Sequence, residues 1–267
     1  MLLIGESING TIQKVGEAIL NRNEVFLREL AKTQYECGAQ MLDVNAGVAG
    51  GDEMEDLPWV VDTVQKEVPL PLMIDSANPE ALKAALSVYR NSELPILNSI
   101  TGEEEKWNKL FPALVEKRCK VVVLLMDDQG IPKTIEERVR IAHRLFQKLM
   151  ETNIPPDYIY FDILVLSVGV EPDAALVALE TIKTIRANFP ASHIICGVSN
   201  VSMGLPGRRL INRTFLTMAI AAGLDTLLVD VRDQPLISSI YASNVLISQD
   251  PYCLEYLKAY REKKILI

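Results

Sequence analysis

Short apolar runs recur along the chain at intervals of roughly 25–40 residues, and most of them end in Asp or Asn. Between the runs lie segments with the i, i+3, i+4 spacing of amphipathic helices. No other feature constrains the fold so strongly. A strand that feeds a helix and then another strand requires a crossover, and repeated crossovers make a parallel sheet. The first runs are Leu2-Leu3-Ile4, Gln40-Met41-Leu42, residues 70–74 and Ile96-Leu97. They continue with Val121-Val122-Val123, residues 158–161, Ile194-Ile195-Cys196 and residues 226–229. Eight strands, each followed by a helix, predict an α/β fold of the (β/α)8 TIM barrel type. An open doubly wound sheet is disfavoured, because no GxGxxG or Walker pattern follows the first run.

The helical segments carry their own punctuation. One begins near Asn23 and stops at Gly38, a residue suited to the left-handed position after a helix. Another spans about 53–67, and Pro79 suits the first turn of the next. Glu103-Glu104-Glu105 places negative charge at a helix start. Thr134 and Glu137 form a capping-box pattern ahead of the stripe Ala142, Leu145, Phe146 and Leu149. Two further helices are expected from about Pro235 and Pro251.

With 267 residues and 49% hydrophobic content, the chain can fill a sizeable core, and no Pro-, Gly- or Ser-rich linker divides it. One barrel domain over residues 1–267 is the expectation. A net charge of −8 argues against nucleic acid as a partner, although a local Arg can still hold an anion. No apolar run reaches the roughly 18 residues of a membrane span, and residues 1–6 lack a signal-peptide pattern. Cys37, Cys119, Cys196 and Cys253 form no CxxC pair, which fits a cytoplasmic protein. His143 and His193 are the sole histidines, so histidine-centred chemistry has few candidates.

In a barrel the C-terminal strand ends converge on one face. Here that ring would hold Asn9, Asp43, Asn45, Asp75, Asn98, Asp127, Asp162, Ser199, Asn200 and Asp230, with no Lys or His. Oxygen ligands of this kind suit a divalent cation such as Mg²⁺ or Ca²⁺. They suit equally a flat heterocycle rich in N–H donors, such as a pterin. Some of them, Asp43 and Asp127 among them, can instead cap the helices that follow.

The segments IGESING (residues 4–10), LDVNAG (42–47) and IDSANPEALKAAL (74–86) narrow the choice. So do NSITGEEEK (98–106), GVSNVS (197–202) and LINRTFLTMA (210–219). Taken in order, they make the chain resemble the methyltetrahydrofolate–corrinoid protein methyltransferases of the pterin-binding barrel superfamily, over essentially its whole length. The resemblance implies a homodimer that binds tetrahydrofolate or 5-methyltetrahydrofolate at the C-terminal face. It implies that Asp75, Asn98 and Asp162 hold the pterin edge, that Asn200 approaches N5, and that Gly197, Ser199 and Arg208 line the site. Met203 stands where acetogenic relatives commonly carry Gln, and Gly204-Leu205-Pro206-Gly207 differs from them too. Both differences fall beside the folate and the partner entrance.

The implied reaction moves a methyl group between N5 and the cobalt of a corrinoid. A tertiary amine leaves poorly, so charge developing on N5 must be neutralised, and Asn200 can donate a hydrogen bond without titrating. The chain is too short to add a corrinoid module to the barrel, so the cobalamin must arrive on another protein. No resident metal is expected. Dihydropteroate synthase shares the superfamily, but its Lys near the seventh strand has no counterpart in GVSN. A non-catalytic folate-binding protein is the other alternative.

Overall fold

The computed structural model describes residues 1–266 and shows eight parallel strands closed into a barrel in sequence order. They are β1 (Leu2–Asn9), β2 (Met41–Asn45), β3 (Leu72–Asp75), β4 (Ile96–Gly102), β5 (Lys120–Asp127), β6 (Ile159–Asp162), β7 (His193–Gly197) and β8 (Thr226–Val229). Closure comes from β8 pairing with β1, with Leu2 opposite Thr226 and Gly5 opposite Val229. The first helices around the barrel are α1 (Gln13–Leu20), α2 (Glu24–Glu36), α3 (Glu53–Gln65), α4 (Pro79–Val88) and α5 (Glu104–Lys117). The circuit continues with α6 (Ile135–Met150), α7 (Ala174–Asn188), α8 (Arg208–Ala222), α9 (Gln234–Leu246) and α10 (Leu254–Arg261). Among the described residues no helix is long and apolar enough to cross a membrane.

Side chains alternate across a strand, so each strand feeds two cores. The axis-facing core consists of Ile4, Met41, Met73, Ile96, Val122, Tyr160 and Ile195, packed against Leu2 and Leu228. The outward-facing set, including Leu42, Ile74 and Phe161, is buried against the helices in a second, larger core. Phe161 lies in an aromatic cluster with Phe146 of α6 and Phe189, at centroid distances of 6.4 and 4.8 Å.

The helix ends follow the sequence signals. Asn78 accepts a bond from the Glu80 N–H at 3.0 Å with Pro79 in the first turn of α4, and Gly38 follows α2 at φ +96°. Thr134 and Glu137 form the capping box of α6, with Glu137 N–H donating to Thr134 Oγ1 at 3.2 Å. Three boundaries differ from expectation. β3 begins at Leu72, because Pro69 and Pro71 cannot donate to a ladder. Tyr158 belongs to a 3₁₀ turn (Pro156–Tyr158) instead of β6. Helix α1 lacks a side-chain cap and any acid in its first turn, so the sequence does not announce it.

Replacing Thr134 by Ala should remove the cap and leave both cores untouched. A loss of about 1 kcal/mol is expected, readable as a shift in the urea midpoint with an unchanged slope.

Candidate functional site

Two residues beyond the apolar floor, the axis-facing positions turn polar. Ile4 leads to Glu6, Met41 to Asp43, Met73 to Asp75, Ile96 to Asn98 and Tyr160 to Asp162. Ile195 and Leu228 lead in the same way to Gly197 and Asp230, whereas β5 continues apolar with Leu124. Register completes the ring, since Asp75 is opposite Asn45 on one side and Asn98 on the other. The Asn45 amide donates to Asp75 Oδ2 at 2.9 Å. One Asp43 oxygen, Oδ1, is buried with no partner. An acceptor left unpaired in a floor is costly unless a donor is brought to it.

A cavity of about 1230 Å³ opens over this ring. Asp75, Gly197, Ser199, Asn200, Met203 and Arg208 line it, together with Glu6 and Asp43. Asn98 and Asp162 belong to the same polar layer, both half-buried, but are not among the residues that line the cavity. Asp127 lies outside the ring. It faces α6, where Arg144 pairs with it at 2.9 Å, and it accepts the Gln129 N–H of its own turn at 3.1 Å. Asp43 is no helix cap either, being buried within β2.

Burying acids in this layer makes them hold protons. Burial, and then repulsion from Asp230, raises Glu6 to about 7, against the pull of Arg208. Burial raises Asp75 to about 6, although the Asn45 bond opposes the shift. Asp162 also rises to about 6 through burial, with Asp75 adding to the rise and the Leu164 N–H and Arg138 opposing it. Asp43 goes well above its usual range through burial and the neighbouring Asp75 and Glu6. Such carboxyls exchange protons readily near neutrality, and they are acceptors for any ligand that brings N–H groups.

The loop after β7 shapes the other side. It forms a 3₁₀ turn (Val198–Ser202) and then passes through Gly204 and Gly207, both at positive φ. Arg208 staples it, donating to the Ser199 carbonyl at 2.7 Å and to Ser202 Oγ at 3.1 Å. Ser202 is buried and donates to Asn212 Oδ1 at 2.6 Å. The Asn200 side chain takes no part in this bracing and makes no hydrogen bond among the described residues; it is exposed to the cavity. A Cβ at Gly197 would come within 3.1 Å of the Asn200 amide nitrogen, so the glycine leaves that amide its position. Met203 is exposed, and its carbonyl accepts from Ser167 Oγ at 2.7 Å, tying this loop to the one after β6.

One positioning group carries no sequence signal. Arg138 in the first turns of α6 is buried, and its guanidinium donates to the carbonyls of Ile163 at 2.6 Å and Leu164 at 3.1 Å. Leu164 is left-handed at φ +56°, and its N–H donates to Asp162 Oδ1 at 2.8 Å. Arg138 thus fixes the peptide that orients Asp162. Asp43 was expected in the ring, whereas Glu6 was not; its signal in the sequence is its position two beyond Ile4.

Within this frame the chain belongs to the pterin-binding enzyme family, whose match spans residues 6–230. Across the whole chain it is 36% identical to the methylcorrinoid:tetrahydrofolate methyltransferase of Eubacterium limosum, covering 99% of this chain and 98% of that protein. It is 27% identical to methionine synthase of Mycobacterium leprae over 86% of this chain, which corresponds to only 20% of that longer protein. Dihydropteroate synthase from Xanthomonas albilineans, solved with 7,8-dihydropteroate, superposes with a TM-score of 0.67 at 18% identity, covering 94% of this chain and 93% of that one. At that identity the likeness establishes the fold.

The raised carboxyls make a sign-definite prediction. Asp162 is held protonated up to about 6 in the fold against an ordinary 3.8, so its contribution to stability is full below 3.8 and is lost as pH rises through about 6. Asp162→Asn removes that loss. Its Tm relative to wild type should therefore increase between pH 4 and pH 7 in calorimetric scans. A constant difference would show that Asp162 titrates at its ordinary value.

Proposed function

We propose that the protein is a methyltransferase that moves a methyl group between N5 of tetrahydrofolate and the cobalt of a corrinoid bound to a separate protein. The observation that carries this reading is the pairing, across one cavity, of a carboxyl-lined floor holding an unpaired buried acceptor, Asp43 Oδ1, with an unbonded amide, Asn200. The floor suits the adjacent ring N–H and exocyclic amine of a pterin, for which Asp75, Asn98 and Asp162 are the assigned acceptors. The E. limosum relative, matched end to end, carries both substrates in its name.

Each group has a distinct task. The floor binds and orients the pterin, and Gly197 and Ser199 shape the wall that brings N5 towards Asn200. In demethylation the N5–methyl bond breaks, its electron pair stays on N5, and a proton must reach that nitrogen. The Asn200 N–H can strengthen its bond as this charge develops. In the opposite direction the N5 lone pair takes the methyl and the proton leaves. The corrinoid supplies the cobalt that accepts or gives up the methyl group. Met203 and Arg208 stand at the mouth, where the partner would approach. The working assembly in this reading is a cytoplasmic homodimer that meets a corrinoid protein at that face.

A dihydropteroate synthase-like activity is the second reading, favoured by fold alone. Among the described residues no Lys lines the cavity, which weighs against it. Dihydropteroate formation from a pterin pyrophosphate and p-aminobenzoate would overturn the methyl-transfer assignment.

Binding and rate should separate at two residues. Asp162→Ala strands donors of the ligand at about 1–3 kcal/mol, so affinity for 5-methyltetrahydrofolate should fall roughly ten- to a hundredfold by titration calorimetry. Asn200→Ala should bind within about tenfold of wild type, yet transfer methyl to a corrinoid partner roughly 10²-fold more slowly in stopped flow. A wild-type rate in Asn200→Ala would remove its catalytic role.

A further inference from the structure

One part of the cavity lining carries the sign opposite to the acidic floor. Arg208, Arg209, Arg213 and Arg232 all belong to it, against Asp230 and Asp233. Arg232 is paired with Asp230 at 2.8 Å and Arg213 with Asp233 at 2.7 Å. Arg208 is committed to the loop oxygens of Ser199 and Ser202. Arg209 is exposed and has neither a hydrogen bond nor an ion pair among the described residues. A chain of net charge −8 therefore presents an excess of guanidinium at this one wall.

The cavity, at about 1230 Å³, exceeds the roughly 300–1,000 Å³ of ordinary small-molecule sites and is larger than a bicyclic ring requires. A reduced folate has two chemically opposed ends. Its pterin is flat and rich in donors, and its glutamyl end carries two carboxylates beyond a p-aminobenzoyl ring. With the pterin on the floor and N5 towards Asn200, the rest of the cavity lining includes these arginines. We propose that Arg209 receives a carboxylate of the folate tail, so that this wall selects folates with a γ-linked glutamate chain over tail-less pterins. The proposal rests on the folate reading given above and adds to it a residue and a selectivity. Planar guanidinium matches carboxylate in a two-bond fork, and Arg209 has only a longer-range attraction to Asp230 to give up, with no hydrogen bond or ion pair among the described residues.

The test is equilibrium binding of three ligands to the full chain: 5-methyltetrahydrofolate as mono- and triglutamate, and a tail-less 5-methyltetrahydropterin. Arg209→Ala, whose side chain holds nothing else in place, should lose about tenfold in affinity for the monoglutamate. The triglutamate should lose more, with both losses shrinking as salt is added. Affinity for the tail-less pterin should be unchanged. Arg209→Glu should deepen the same pattern. Equal losses for all three ligands, or no loss for any, would overturn the proposal. Failure of the wild-type chain to bind any of the three would instead remove the folate reading, and the tail site with it.

Discussion

Alternation along a strand ties the stability of this barrel to its chemistry. Every strand must give its axis-facing positions to a shared interior, and that interior has room for only a few layers. The lower layer is apolar and closed, from Ile4 round to Ile195. The next layer, two residues on, is where the strands run out into loops and the interior meets a cavity. A polar group placed there is held by rigid ladder on one side and reached from solvent on the other. No slip of register could move one such group alone, because a one-residue shift would turn the whole strand inside out.

That placement explains the charge distribution. Burial raises Asp43, Asp75, Asp162 and Glu6; Asp75 adds to the rise of Asp43 and Asp162, and Arg208 and Arg138 only partly oppose it at Glu6 and Asp162. A paired floor would be more stable and would present no free acceptors. Arginines occur instead on the wall after β7 and β8, where Asp230 and Asp233 partly satisfy them. Segregating the two signs prevents the collapse of the site into internal salt bridges. It also leaves a cavity that is acidic at its base and basic at its side, which is a strong filter on the polarity of whatever enters.

Much of this was legible in the sequence because it is local. The Asp and Asn strand ends, the Asn78–Pro79 start, the capping box at Thr134 and Glu137, and Gly38 are each determined by a few adjacent residues. Asp127 was expected in the ring and does not belong to it; it is an odd number of positions from the axis-facing Val122 and Leu124, and Arg144 of α6 pairs with it. What escaped was non-local. Arg138 reads as one more charge on a helix, and only the folded chain brings its guanidinium under the carbonyls of Ile163 and Leu164. Arg209 reads as half of an Arg-Arg pair. Which of the two is committed to the loop, and which is free, depends on where Ser199 and Ser202 end up.

Buried unpaired atoms occur in several places, at Asp56, Thr63, Ser192 and Asn244 among others, but three open valences meet at this one cavity. Asp43 Oδ1 is unpaired in the floor, the Asn200 amide is unbonded above it, and Arg209 is unpaired at the rim. Much of the scaffold around them is bonded: Asn45 holds Asp75, Leu164 holds Asp162 under the control of Arg138, and Arg208 with Ser202 and Asn212 fixes the loop that carries Asn200. A defect of folding would show loose surroundings and a loose group together. Here rigid surroundings hold open valences, which is the arrangement expected where a ligand supplies the missing partners and the cost of leaving them unmade is offset by binding. In the proposed reaction the same rigid loop would serve Asn200, because a donor placed before the reaction need not reorganise as charge appears.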